Sequence, residues 1–149
     1  MNEEVFITES SEETQKIAEK IVSRSEILLR RTEGPIIFAL FGELGSGKTT
    51  FVQGLARGLG IERRIISPTF IILRTYPLKD KNFYHVDLYR IESEKEIDGL
   101  GLEEILKSKK DIIAVEWAEK IQNILPDKRI NIFFANLGGD KRKITIWKR

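Results

Sequence analysis

The sequence predicts an α/β protein with a buried, parallel central strand and antiparallel hairpins beside it. Three observations lead there. "IIFALF" (Ile36–Phe41) and "DIIAVEW" (Asp111–Trp117) are short runs apolar on both faces, as strands covered by helices on both sides are. The first of them runs directly into a glycine-rich turn and then a helix, in "FGELGSGKTT" (Phe41–Thr50). Near the C-terminus, "RINIFFANL" and "KRKITIWKR" alternate apolar and polar residues on either side of "GGDK", which is the pattern of a β-hairpin.

The remaining elements follow along the chain. "VFIT" (Val5–Thr8) predicts a short strand. Ser10 and Ser11 offer an N-cap, with glutamates in the next turn, for a helix carrying Ile17, Ile21 and Leu28 and ending near Arg30–Glu33. Gly34-Pro35 breaks the chain before the first buried strand. After the glycine turn, a helix is expected from Lys48 to Leu59, closed by Gly60. "IISPTFIILRTY" is β-rich but interrupted at Ser67-Pro68, because proline removes a ladder donor. Its later part pairs with "NFYHVDLYR" (Asn82–Arg90) as a hairpin. A charged helical stretch, "ESEKEIDGLGLEEILKSK", is broken near Gly99 and Gly101. "AEKIQNIL" reads as a short helix stopped by Pro126. No repeat or second domain is evident, so residues 1–149 are expected to form a single domain.

Composition narrows the chemistry. Hydrophobic residues make up 41% and charged residues 32%, as in a globular protein. The formal charge of +2 does not demand nucleic acid as a direct ligand. With no cysteine and a single histidine, thiol chemistry is excluded and a zinc site disfavoured. The opening "MNEEVFITES" is acidic and unlike a signal peptide, and the apolar runs are too short to span a bilayer. A cytoplasmic protein with no membrane partner is expected.

Gly42 to Thr49 fits G-x-x-x-x-G-K-[ST] at every position. Glycines let successive amides turn inward as an anion nest, and the helix that follows offers its unpaired amides and positive dipole end to the same anion. Glu43, Leu44, Gly45, Ser46 and Gly47 form the loop. Lys48 supplies a cation for the β- and γ-phosphates, and the Thr49 hydroxyl is suited to ligate magnesium. Thr50 stands where it can bond the α-phosphate. The expected ligand is a nucleoside triphosphate with Mg²⁺. Gly54 and Gly58, one turn apart in the helix, are read as places where it packs closely on the sheet.

A P-loop also needs an acid directed at the metal and a group that orients the attacking water. Glu116, at the end of a buried strand, is one candidate. Asp87 in "YHVDLYR" is the other: Val86 and Leu88 point to one face and Asp87 to the opposite one. Spacing leaves open which acid holds the metal. It also leaves open whether Asp87 is a structural partner of Arg90 or Arg74. Thr69 of "SPTF" is a candidate γ-phosphate sensor. His85 is read as structural, Trp117 as core or as a stacking surface, and Lys141, Arg142 and Lys143 as a solvated hairpin edge.

"GELGSGKTTFVQGLARGLG", "SPTF", "YHVDLYR", "IDGLGLEEIL" and "VEWAEK" occur together in this order. The set resembles the TsaE (formerly YjeE) family, P-loop ATPases of bacterial tRNA threonylcarbamoyladenosine biosynthesis. The likeness runs from "SEETQKIAEKI" to "RKITI". It implies a P-loop NTPase-like sheet, parallel at its centre and antiparallel at its flanks, with helices on both faces. It implies binding of ATP and Mg²⁺ and slow hydrolysis alone. It implies work with TsaD and TsaB, which modify adenosine 37 of tRNA, with tRNA contacted indirectly through that complex. By motif, Lys48 and Thr49 correspond to the phosphate lysine and a magnesium ligand. Asp87 and Glu116 correspond to the two acids of hydrolysis, Glu116 being favoured for magnesium and Asp87 a second candidate. Thr69 falls in a switch-like segment, and Thr14 and Arg142 match positions near the nucleotide. Ala118 departs from the proline common after this tryptophan, which touches the start of the next helix and not the acid.

Other readings are a small-molecule P-loop kinase and a nucleotide sensor that works without turnover. A kinase calls for a lid and an acceptor pocket, and neither is clear in the sequence. A GTPase is disfavoured because N-K-x-D is absent and "DGLG" (Asp98–Gly101) follows no buried strand.

Overall fold

The computed structural model describes residues 2–23, 34–62, 65 and 72–148. Its strands are β1 (Asn2–Thr8), β2 (Ile36–Phe41), β3 (Leu73–Pro77), β4 (Asn82–Asp87), β5 (Ile112–Glu116), β6 (Ile130–Gly138) and β7 (Lys141–Lys148). The helices are α1 (Ser11–Ser23), α2 (Lys48–Gly58), α3 (Lys95–Asp98) and α4 (Leu102–Leu106), with a 3₁₀ turn at Ala118–Ile121.

The strands form one sheet in the order β1-β7-β6-β2-β5-β4-β3. β2 is the middle strand and runs parallel to β5 on one side and β6 on the other. β4 is parallel to β5. The flanks are antiparallel: β3 on β4, β7 on β6, and β1 on β7. This is the mixed α/β sheet the sequence predicts, with both hairpins in place.

Why "IIFALF" is apolar throughout is visible in the layers. Alternate side chains of a strand face opposite ways, and both faces of β2 are covered. Ile36, Phe38 and Leu40 pack under α1 and α2. Ile37 and Ala39 pack against α3, α4 and the 3₁₀ turn. β5 divides in the same way, with Ile112 and Ala114 on the α2 side and Ile113 and Val115 on the other.

α1 begins at a variant of the capping box, in which the returning carboxylate takes the amide just before the N-cap Ser10. The Glu13 amide donates to Ser10 Oγ at 3.2 Å, and the Glu13 carboxylate accepts from the Glu9 amide at 2.6 Å. Ala18, Ile21 and Val22 then face α2 and the sheet. The expected continuation past Ser23, including Leu28 and the end near Arg30–Glu33, lies outside the described residues.

Four expectations are corrected. Gly54 and Gly58 are places of close approach to α1, not to the sheet: a Cβ on Gly54 would stand 2.4 Å from the Gln15 carbonyl oxygen and 2.7 Å from the Ala18 Cβ. "AEKIQNIL" holds a single 3₁₀ turn rather than a helix running to Pro126. The first strand is longer than Val5–Thr8, reaching back to Asn2. Lys141–Lys143 do not form a sheet edge, because β7 is paired on both sides and β1 is the outer strand.

Candidate functional site

At the C-terminal end of β2 the chain passes through Gly42–Gly47 and turns into α2. The Ser46 amide donates to the Glu43 carbonyl at 3.1 Å, closing a tight turn. Gly47, the N-cap of α2, takes φ 105°, a left-handed value that a side chain resists. It brings no side chain to the first amides of the helix, so these donors face the loop. A concave loop of amides at a helix N-terminus is suited to bind phosphate.

A pocket of about 260 Å³ opens over this loop. Gly45, Ser46, Gly47, Lys48, Thr49 and Thr50 line its floor. Ser46 and Lys48 are buried, while Leu44 stands 70% exposed at the rim. Lys48 Nζ donates to the carbonyl oxygens of Gly42 and Glu43, the latter at 2.9 Å. It lies 4.1 Å from the centroid of the Trp117 ring. Burial lowers the Lys48 pKa below its ordinary value, partly offset by Glu116, Glu119, Asp87 and Glu43. The cation therefore sits where a further negative charge would be welcome.

The acids come from the two strands beyond β2. β4 and β5 run parallel with Asp87 opposite Glu116 and His85 opposite Ala114. In both strands the odd-even alternation places these side chains on the α2 face, as the sequence reading of Asp87 requires. Glu116 is 2% exposed. It accepts from the Thr49 hydroxyl at 2.9 and 3.0 Å and meets His85 Nε2 at 2.6 Å. Asp87 lines the pocket and accepts from the Tyr89 amide through Oδ1 at 3.0 Å.

Trp117 follows Glu116 in a left-handed conformation, φ 60°, the one non-glycine residue with positive φ among those described. Such a conformation costs roughly 1–2 kcal/mol for a residue with a Cβ. It turns the chain sharply, so that the indole leaves the sheet and meets the Tyr89 ring at 5.3 Å in the pocket wall. Lys120 steadies this corner by donating to the carbonyls of Tyr89 and Ile91 at 2.6 and 2.8 Å.

The far wall joins the two ends of the sequence. Ser10, Ser11 and Thr14 reach it from the start of α1, and Asp140 and Arg142 from the β6–β7 hairpin. The Thr14 hydroxyl bonds that of Thr8 at 2.8 Å. Arg142 Nη2 donates to the Gly45 carbonyl at 3.1 Å, tying β7 to the loop.

The structure thus gathers the loop residues, Thr14, Asp87, Glu116 and Arg142 around one pocket. Glu43 meets it through its carbonyl bond to Lys48, and Thr69 lies outside the described residues. The sequence reading takes His85 as structural and does not single out Tyr89 or Lys120 as site residues. The alternation in "YHVDLYR" that sets Asp87 opposite Val86 and Leu88 sets His85 on the same face as Asp87, and this is the available signal.

Magnesium fits the donor set. A hydroxyl and a buried carboxylate in contact at the loop are the one or two protein ligands this cation takes beside phosphates and waters. Among the described residues no group of three or more His, Asp and Glu is arranged as a metal cage of its own.

A mixed sheet whose central strand feeds a glycine loop and a helix, with an acid on the adjacent parallel strand, defines a P-loop nucleotide-binding protein. A family model described as "Threonylcarbamoyl adenosine biosynthesis protein TsaE" matches residues 8–144. The chain belongs to the TsaE family. It is 44% identical over 110 residues to the tRNA threonylcarbamoyladenosine biosynthesis protein TsaE of Bacillus subtilis, covering 74% of this chain and 68% of that one. It is 36% identical over 143 residues to the protein of the same name from Rickettsia felis, covering 95% and 78%. The crystal structure of YdiB from Bacillus superposes with a TM-score of 0.76 at 32% identity, covering 97% of this chain and 84% of that one.

Proposed function

We propose that this chain, as a single domain over residues 1–149, is the Mg²⁺-dependent ATPase of the machinery that makes threonylcarbamoyladenosine at position 37 of tRNA. The observation that carries the reading is the contact of Thr49 with Glu116 at the mouth of the loop. It brings the two expected magnesium ligands together in a chain whose relatives bear that pathway's name. The loop amides bind the triphosphate, with Thr50 at its α-phosphate. Lys48 exchanges carbonyl partners for β- and γ-phosphate oxygens, and Thr69 senses the γ-phosphate. Thr49 and Glu116 hold magnesium, which supplies charge neutralisation on the phosphates. Asp87, steadied by the Tyr89 amide, orients the attacking water. Thr14 and Arg142 border the nucleoside side of the pocket.

TsaD and TsaB are the proposed partners, and hydrolysis resets their complex between turnovers while the transfer chemistry stays with TsaD. The modest net charge supports indirect handling of tRNA through that complex. No helix among the described residues is long and apolar enough to cross a membrane, and the cytoplasm is the proposed location.

The test is steady-state ATP hydrolysis by the purified chain, alone and with the TsaB–TsaD pair, using Lys48→Ala as control. Weak activity that rises with the pair and vanishes in the variant is expected. Activity indifferent to the pair contradicts the assignment and points to a phosphoryl acceptor.

A further inference from the structure

We infer that His85 is a positioning residue for Glu116: its imidazole holds one carboxylate oxygen so that the other is kept for the cation beside Thr49. This rests on the reading of Glu116 as the metal-directed acid.

The Thr49 hydroxyl lies 2.9 Å from Oε1 and 3.0 Å from Oε2 of Glu116. It has one proton and reaches both oxygens almost equally, so it does not fix the rotation of the carboxylate. His85 breaks that symmetry, because its Nε2 is 2.6 Å from Oε2 alone. An ionised carboxylate only accepts, so Nε2 carries the proton and donates. Both side chains are buried, His85 completely. The bond is therefore shielded from competing water.

Two further features separate this from a histidine that merely fills the core. The other ring nitrogen, Nδ1, is buried with no hydrogen-bond partner among the described residues, a cost an apolar residue would avoid. Glu116 is thus the group that orients the ring by hydrogen bonding. Opposite His85 on β5 stands Ala114, whose small side chain leaves the imidazole room to lean toward Glu116. A histidine that orients a ligating carboxylate is the outer shell that metal sites depend on, and losing such a partner typically weakens metal binding about 10–100-fold.

The test is Mn²⁺ binding, followed by electron paramagnetic resonance of the free ion, in the presence of a non-hydrolysable ATP analogue. The proteins compared are wild type, His85→Leu, His85→Gln, Glu116→Gln and the double variant. His85→Leu is expected to weaken Mn²⁺ binding about 10-fold or more, with metal-free affinity for the analogue unchanged. His85→Gln, whose amide can donate from near the Nε2 position, is expected to restore most of it. In the Glu116→Gln background His85→Leu should add no further loss. A folded His85→Leu with wild-type Mn²⁺ affinity overturns the inference, as do equal losses in the leucine and glutamine variants. If His85→Leu does not fold by circular dichroism, His85→Asn, too short to reach Glu116, takes its place under the same criteria. Mn²⁺ affinity unchanged by Glu116→Gln would overturn the metal reading of Glu116 and this inference with it. A loss in Glu116→Gln that His85→Leu does not share overturns this inference alone.

Discussion

Thr49 and Glu116 are 67 residues apart in sequence, yet the threonine hydroxyl rests against both carboxylate oxygens. The contact exists because β5 lies beside β2 in parallel, so both strands deliver their C-terminal ends to the same side of the sheet. Truncating the acid removes a group from the chemistry and leaves the loop amides intact. Glu116→Ala is expected to slow hydrolysis on the order of 10²-fold or more while changing ATP affinity far less. Single-turnover hydrolysis beside a fluorescence titration separates the two, and hydrolysis equal to wild type would return Glu116 to a structural role.

Lys48→Ala should abolish detectable ATP binding with the fold retained. Among the described residues its ammonium hydrogen-bonds the Gly42 and Glu43 carbonyls and the Ser46 hydroxyl and no carboxylate, so its loss leaves Glu116 and Asp87 with the hydrogen bonds they already make. Isothermal titration and circular dichroism together check this; unchanged affinity would remove the central claim about the loop.

The lowered Lys48 pKa carries a pH signature. A lysine whose pKa is depressed in the folded protein binds fewer protons there than in the unfolded chain, so stability rises with pH between the depressed value and the ordinary 10.5. Nucleotide binding runs the other way, since phosphate favours the charged form. ADP affinity in EDTA is therefore expected to fall as pH rises through the depressed value, with proton uptake on binding around and above that value, where the free lysine has begun to lose its proton. Calorimetry in buffers of different ionisation enthalpy reads that uptake directly; its absence would show that Lys48 does not engage the phosphates.

Gly54→Ala should destabilise the protein by about 1–3 kcal/mol, because the new methyl meets α1 backbone that cannot easily retreat. At Gly58 the nearest atoms stand at 3.1–3.2 Å. There the clash is mild and alanine regains up to about 1 kcal/mol of helix propensity, so a change near zero is expected. Urea denaturation of both variants decides it; equal losses would mean that α1 and α2 are not held at this spacing.

The elements nearest the loop were legible because their signals are local. A doubly apolar run, a glycine turn and a helix start sit together in Ile36–Thr50, and the acid ends its own apolar run at Glu116. What escaped depended on partners distant in sequence. Gly54 and Gly58 signal close packing but not against what, and the answer is α1, some forty positions away. Lys141–Lys143 look like a solvated edge until β1 pairs outside them, and only then is Arg142 seen to reach Gly45. His85 reads as structural because a lone histidine in a strand more often is, and its bond to Glu116 becomes visible only with the register of β4 against β5.

β1 is paired with β7 alone, and the pocket takes Ser10 and Thr14 from one end of the sequence and Arg142 from the other. During synthesis β1 must wait for β7 before its ladder can close. A ribosome carrying this chain without residues 141–148 would display a finished glycine loop with one wall of its pocket missing and its outermost strand unpaired. Full nucleotide affinity is then expected only once β7 has joined the sheet, since that strand both closes the ladder of β1 and brings Arg142 to the loop.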